Sequence, residues 1–127
     1  MNPINIKPFE ILNNWQQNLN EKNLSGVLKL YDTSCVLIPT FSSEILKDHE
    51  KIKEYFVKVI EIQKGKVEFQ PNSISEQQVG ENMYLLSGKY FFHFMEKEKI
   101  PARFSFLVNL LSEKPILHHH SSRSISG

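Results

Sequence analysis

The sequence of 127 residues contains a single cysteine, carries almost no net charge and lacks a long hydrophobic run. Cys35 cannot form a disulfide within the chain, and its place beside the apolar run 36–38 predicts a small buried side chain. Lys and Arg number 15 against 14 Asp and Glu, so no strong field attracts nucleic acid or an anionic membrane. No segment approaches the ~20 apolar residues of a membrane span or resembles a signal peptide. We therefore expect a cytoplasmic location, with neither nucleic acid nor membrane as a partner.

The overall composition is that of an ordinary globular protein. Hydrophobic residues make up 40% and charged residues 23% of the chain, without a tract of biased composition. A chain of this length buries roughly two-thirds of its unfolded surface around a single core. We therefore expect one domain over 1–127.

Helical spacing of apolar residues marks three segments in the N-terminal half. The first follows Pro8, whose missing amide hydrogen suits the first turn of a helix. The second runs from Leu24 to Tyr31 with apolar residues at intervals of three and four. The third begins at the N-cap candidate Asp48 and stops at Gly65. The sequence thus predicts a short helical hairpin followed later by a third helix.

Most of the C-terminal half has the spacing of β-strands. The candidate strands are 35–38, 66–70, 73–79, 83–94, 100–111 and 116–122. Turn signals separate the later ones, so adjacent antiparallel pairing is the simplest topology, and a further brief strand is expected near Ile45. Helices first and strands afterwards indicate an α+β fold, with helices on one face of a mostly antiparallel sheet.

Alternation along the segment 103–110 divides that strand into two faces. One face carries Phe104, Phe106, Val108 and Leu110, and the other carries Arg103, Ser105, Leu107 and Asn109. We expect the helices to cover the second, mixed face, which would line a partly polar cavity. The wholly apolar face then needs another cover, and a second copy of the chain is the simplest one. The pattern therefore predicts a homodimer or a higher oligomer.

Three adjacent histidines raise the question of a metal site. Successive strand residues point to opposite faces, so His118 and His120 share one side while His119 takes the other. No His-Glu-x-x-His or paired-cysteine motif supplies further ligands. We expect neither a metal nor another cofactor.

Several short motifs, taken in order, resemble a known family. They are Pro-Thr-Phe-Ser at 39–42, Tyr-Phe at 55–56, Gly-Lys-Tyr-Phe-Phe at 88–92, Pro-Ala-Arg-Phe-Ser-Phe at 101–106 and Ile-Leu-His-His-His-Ser-Ser at 116–122. Together they resemble the free-standing bacterial relatives of the calcium/calmodulin-dependent protein kinase II association domain, which are SnoaL-like members of the nuclear transport factor 2-like superfamily. The sequence departs from the family at Pro115, near a place that often holds tryptophan, and at 123–125, which lacks the usual Met-Pro ending.

The resemblance implies a cystatin-like cone, in which a curved sheet wraps around the helices, encloses a pocket and assembles through its outer face. Strand alternation puts His119 and Ser121 on one side of the last strand, and the resemblance implies that this is the pocket side. The predicted pocket is completed by Arg103, Ser105 and Lys89 from neighbouring strands and by Tyr31, Tyr55 and Trp15 from the helices. A buried guanidinium needs an anionic partner, and its planar donors suit a carboxylate. We therefore interpret the pocket as a site for a small organic acid bound through Arg103. An internal ion pair of Arg103, or its extension into solvent at the rim, are the alternative interpretations.

The resemblance leaves the activity open, because related cones include hydrolases, dehydratases, cyclases and isomerases besides non-enzymatic binders. His119 is the candidate acid–base residue of the pocket. Asp32 is the nearest acidic candidate, although turn formation explains it equally well. Two function classes follow: a non-catalytic homo-oligomeric domain that binds a small acid or a partner, and a small isomerase, dehydratase or cyclase.

Overall fold

The computed structural model describes residues 7–95 and 97–125. Its first half contains α1 (Pro8–Asn20), α2 (Leu24–Leu28), β1 (Tyr31–Ile38) and α3 (His49–Phe56), which continues as a π-helical segment (Val57–Ile62). Its second half contains β2 (Gly65–Phe69), a short 3-10 helix (Pro71–Ser73), β3 (Ser75–Gly80), β4 (Met83–Phe94), β5 (Ile100–Asn109) and β6 (Ile116–Arg123). The predicted order of helices and strands is confirmed.

Local hydrogen bonds set the helix ends. The Asp48 carboxylate accepts a 2.9 Å bond from the Lys51 amide, so this residue caps α3 as predicted. The second helix is shorter than expected, since Tyr31 belongs to β1. The backbone amide of Ile116 donates to the Leu30 carbonyl at 2.8 Å, and sheet pairing therefore takes over before a further helical turn forms. No helix among the described residues is long and apolar enough to cross a membrane.

Six strands form one sheet in the order β1-β6-β5-β4-β2, with β3 paired to β4. Antiparallel pairing joins β3 to β4, β4 to β5 and β5 to β6, as predicted, whereas β2 pairs antiparallel with β4 and not with the adjacent β3. The pair β1–β6 is parallel and brings together the first and the last strand of the sequence at one edge of the sheet. The brief strand expected near Ile45 is reduced to a single bridge between Leu37 and Leu46. The sheet is therefore mostly antiparallel, with one parallel pair.

The helices cover the apolar face of β5, which corrects the predicted orientation of that strand. Phe104, Phe106 and Val108 are buried, and the Trp15 ring of α1 lies 5.4 Å from the Phe106 ring. Arg103 is exposed on the opposite face. The apolar side chains lie beneath the helices because burial against the apolar stripes of those helices removes more hydrocarbon from water than burial of the mixed face would. The predicted need for a second copy to cover these phenylalanines is consequently wrong.

Candidate functional site

A chain of buried polar side chains crosses the interior between α1, β1 and β6. The indole nitrogen of Trp15 donates to the Tyr31 hydroxyl at 3.0 Å, and this hydroxyl lies 2.8 Å from Nδ1 of His119. Nε2 of His119 lies 3.1 Å from the Tyr90 hydroxyl, which donates to Oγ of Ser121 at 2.6 Å. Oγ of Ser121 in turn contacts Oγ1 of Thr40. We call these six residues the interior hydrogen-bond chain.

The donors fix the direction of this chain. The Tyr90 hydroxyl gives its hydrogen to Oγ of Ser121, so its oxygen accepts from the Nε2 hydrogen of His119. In the neutral imidazole that burial favours, Nδ1 then accepts the Tyr31 hydrogen, and the Tyr31 oxygen accepts from the Trp15 indole. Both nitrogens of the His119 ring are thus engaged.

The surroundings of His119 favour this neutral form. Burial lowers the pKa of His119 well below its ordinary value, and the nearby imidazoles of His118 and His120 lower it further. The Phe106 ring stacks on the imidazole with 3.8 Å between ring centroids. Burial also raises the pKa of the Tyr31 and Tyr90 hydroxyls, which keeps them protonated as donors.

Almost no free volume remains beside the interior hydrogen-bond chain. A void of about 10 Å³ is lined by Trp15, Leu37, Pro39, Tyr55, Phe56, Val59, Tyr90, Phe92, His119 and Ser121. Such a volume is at the threshold for a single water molecule. Trp15, Tyr31, Tyr55, His119 and Ser121 thus lie together in the interior, and the void beside them has room for about one water molecule.

Arg103, Ser105 and Lys89 lie on the other side of the sheet, so the prediction that they share a wall with His119 is wrong. In the register of β5 and β6, His119 is opposite Phe106, whereas Arg103 is opposite Ser122. Directly paired residues of antiparallel strands project to the same face. The face that holds His119 is therefore the phenylalanine face, and Arg103 projects outward.

The outer face of the sheet is organised in three neighbouring rows across the strands. The apolar row consists of Leu85, Leu107 and Val36 together with His118, and it ends at Gln77 of β3. The hydroxyl row consists of Ser75, Ser87, Ser105 and His120. The cation row consists of Lys89, Arg103 and Ser122. The hydroxyl and cation rows line a groove of about 480 Å³.

Asp32 lies apart from both sites. Its carboxylate accepts a 2.7 Å bond from the Ser34 hydroxyl and a 2.9 Å bond from the Ser34 amide. These two bonds, the hydroxyl first, lower the pKa of Asp32. Both bonds lie within β1, where the pairing register with β6 is irregular between Tyr31 and Val36.

Two members of the interior hydrogen-bond chain, Tyr90 and Thr40, were not predicted as site residues. Tyr90 shares its strand face with Leu86, Phe92 and Phe94, so alternation along β4 gives a signal that it is buried. No such pattern marks Thr40, which follows the end of β1 and meets Ser121 only through the tertiary fold.

Comparison with known proteins supports one family. The profile of the calcium/calmodulin dependent protein kinase II association domain family matches residues 7–124. A solved Xanthomonas campestris structure of this association-domain type is 25% identical, has a TM-score of 0.81, and aligns over 100% of this chain and 94% of its own. Among curated proteins, no sequence matches significantly.

More distant structures share the fold. A nuclear transport factor 2-like protein of unknown function from Shewanella oneidensis is 15% identical with a TM-score of 0.73, over 90% of this chain and 94% of its own. A protein with a cystatin-like fold from Caulobacter vibrioides is 8% identical with a TM-score of 0.77, over 93% of this chain and 87% of its own. The predicted α+β, cystatin-like fold is confirmed.

Proposed function

Because the chain belongs to the calcium/calmodulin dependent protein kinase II association domain family, we propose that it is a self-associating domain whose copies pack through the outer sheet face. The observation that carries this proposal is the apolar row. Leu85 and Leu107 are directly paired, Val36 lies in the same row, and all three are only half-buried. Apolar side chains that lie together on one face favour contact with an equivalent patch, as in a two-fold symmetric dimer.

The position of the helices supports the same surface. The apolar residues of α1 and α3 belong to the core cluster that also holds Phe104 and Phe106, so these helices lie on the inner face. These helices do not cover the apolar row of the outer face, and a second copy is the occupant that membership of an association-domain family favours for that row. A C2 contact would place Leu107 of one protomer near the equivalent row of its partner.

Equilibrium sedimentation tests this proposal. The wild-type chain should have at least twice the monomer mass of 14.8 kDa at micromolar concentrations. Leu107→Lys should shift the chain towards the monomer, because a charge would be buried at the interface. Leu111→Lys is the matched control, since Leu111 is 58% exposed beyond the end of β5. A wild-type chain that stays at 14.8 kDa at high micromolar concentration contradicts the proposal, provided that circular dichroism shows it folded.

A second candidate function is binding of a small organic acid through Arg103, now on the outer face. One observation favours it: the exposed Arg103 and Lys89 are direct neighbours across β4 and β5. Guanidinium donors in a groove suit a carboxylate whether the groove is inside or outside the cone. A cytoplasmic site of action belongs to the same proposal, and the buried free thiol of Cys35 is compatible with a reducing compartment.

An enzymatic role has less support, because both ring nitrogens of His119 are engaged and the void beside it is about 10 Å³. Turnover on a panel of small carboxylic acids and cyclic ketones tests this alternative. Turnover by the wild type that His119→Ala abolishes, in a variant that remains folded, would replace the binding proposal with an isomerase, dehydratase or cyclase.

A further inference from the structure

Two positive side chains occupy one cross-strand pair on the outer face. Lys89 of β4 is directly opposite Arg103 of β5, and both residues are exposed. Such partners have Cβ atoms about 4.5–5.5 Å apart, and like charges in this position destabilise the sheet. The ion pairs found among the described residues lie elsewhere and involve neither side chain. The pair therefore lacks a counter-charge from the described part of the chain.

Neutral hydrogen-bonding groups surround this pair. Ser122 is opposite Arg103, and the neighbouring row brings Ser105 opposite His120. The hydroxyls of Ser87 and Ser105 lie 3.2 Å from each other, which leaves each with further capacity. Within residues 7–95 and 97–125, the side chains of Ser122 and His120 make no hydrogen bond. These groups are free to bind a ligand that accepts hydrogen bonds.

The groove that these side chains line has the charge of a small-anion site. It is a shallow depression of about 480 Å³ that is wide open to solvent. The described residues that line it are basic, hydroxyl-bearing, aromatic or glycine, and none is acidic. A ligand with negatively charged oxygens would thus meet donors and cations without a repelling carboxylate in the described wall.

We propose that this groove binds a small dianionic oxyacid, such as a phosphate monoester or a dicarboxylate, between Lys89 and Arg103. The proposal rests on the small-acid function proposed above and goes further by naming the charge of the ligand and its second cation. Two fixed positive charges match two negative charges better than the single charge of a monocarboxylate. The guanidinium of Arg103 can hold two oxygens at once, while Lys89 acts as a point charge and the serine hydroxyls donate to the remaining oxygens.

Isothermal titration of the wild-type chain with inorganic phosphate, malonate and acetate, at one ionic strength set with chloride, tests the proposal. We expect saturable binding of phosphate, malonate or both, and affinity for acetate lower by about tenfold or more. Phosphate and malonate distinguish the two sources of the dianion. Arg103→Gln and Lys89→Gln should each weaken binding by about tenfold, in the range of a lost charge-assisted hydrogen bond.

Arg123→Gln is the matched control, because Arg123 is exposed on β6 but does not line the groove. It should bind the dianions like the wild type. Absence of saturable binding, equal affinity for acetate, or an Arg103→Gln variant with unchanged affinity would each overturn the proposal. A monomeric chain that binds phosphate would contradict the proposed self-association and support this site, whereas an oligomer that binds no dianion would do the reverse.

Discussion

Tyr31 and His119 share a 2.8 Å hydrogen bond between Oη and Nδ1 although 88 residues separate them in the sequence. The bond links the first residue of β1 to the middle of β6, the two strands that pair in parallel. Since Tyr31 also accepts from Trp15, one hydroxyl connects the first helix to the first and the last strand of the sequence. The interior hydrogen-bond chain is thus placed to specify the tertiary arrangement.

Removal of this hydroxyl should destabilise the fold strongly. In Tyr31→Phe, the Trp15 indole loses its acceptor and Nδ1 of His119 loses its donor, both in a buried site. Unpaired buried groups cost about 1–3 kcal/mol each, so we expect the free energy of unfolding to fall by about 2–4 kcal/mol. Urea denaturation followed by circular dichroism measures this difference.

Tyr84→Phe is the matched control for that substitution. Tyr84 is half-buried on β4 and packs against the core, and its hydroxyl makes no hydrogen bond to another described residue. Its loss should change the free energy of unfolding by about 0.5 kcal/mol or less. Equal losses in the two variants would show that the hydroxyl of Tyr31 has no special role.

The elements could be predicted from sequence, whereas the face of β5 that the helices cover could not. Helical spacing and the N-cap Asp48 are local signals, and α3 begins where they indicate. Alternation likewise separates Arg103 from Phe104. It does not say which set the helices cover, because that choice depends on packing between distant segments. The register of β5 and β6 also shifts at an irregularity between Leu107 and Val108, for which the sequence has no recognised signal.

Because of His119, the free energy of unfolding should decrease as the pH falls. Burial and the two neighbouring histidines lower the pKa of His119 in the folded chain, whereas a histidine in the unfolded chain has a pKa of about 6.5. Below about pH 6.5 the unfolded chain therefore binds a proton that the folded chain does not. The contribution of neutral His119 to the free energy of unfolding is complete above that pH and is lost as the pH falls towards the pKa of His119 in the folded chain. This one group can change the free energy of unfolding by at most about 1.4 kcal/mol per pH unit.

Urea denaturation between about pH 7.5 and 5.5 measures this slope, over a range in which most carboxylates stay ionised. His119→Gln should give a shallower slope, whatever its stability at neutral pH. A smaller pH dependence of the free energy of unfolding should persist in His119→Gln, since burial also lowers the pKa of His118. Identical slopes in wild type and His119→Gln would contradict the assignment.

Gly65, at the start of β2, should not tolerate a side chain. A Cβ atom there would lie 2.6 Å from a ring carbon of Phe94 and 3.0 Å from the carbonyl oxygen of Val59. The backbone oxygen cannot move without disturbing the π-helical segment, so Gly65→Ala should lower the free energy of unfolding by about 1–3 kcal/mol. Gly80→Ala is the control, because its nearest contact would be Met83 at 3.3 Å. Thermal unfolding of both variants decides the matter, and an unchanged Gly65→Ala midpoint would refute the steric explanation.

Lys89→Gln should stabilise the ligand-free chain, in contrast to the other substitutions. It removes one of two like charges that face each other across β4 and β5, and such pairs alter stability by about 0.2–1 kcal/mol. The gain in the free energy of unfolding should be largest at low ionic strength, because salt screens exposed charges.

Lys66→Gln is a suitable control, since Lys66 is exposed on β2 and is paired with His93. Urea denaturation at about 0.01 M and 1 M salt separates the two cases, for which the Debye lengths are about 30 Å and 3 Å. If Lys89→Gln is no more stable than wild type at low salt, the repulsion between Lys89 and Arg103 is already relieved within the chain, and the reason for an anion to bind there disappears.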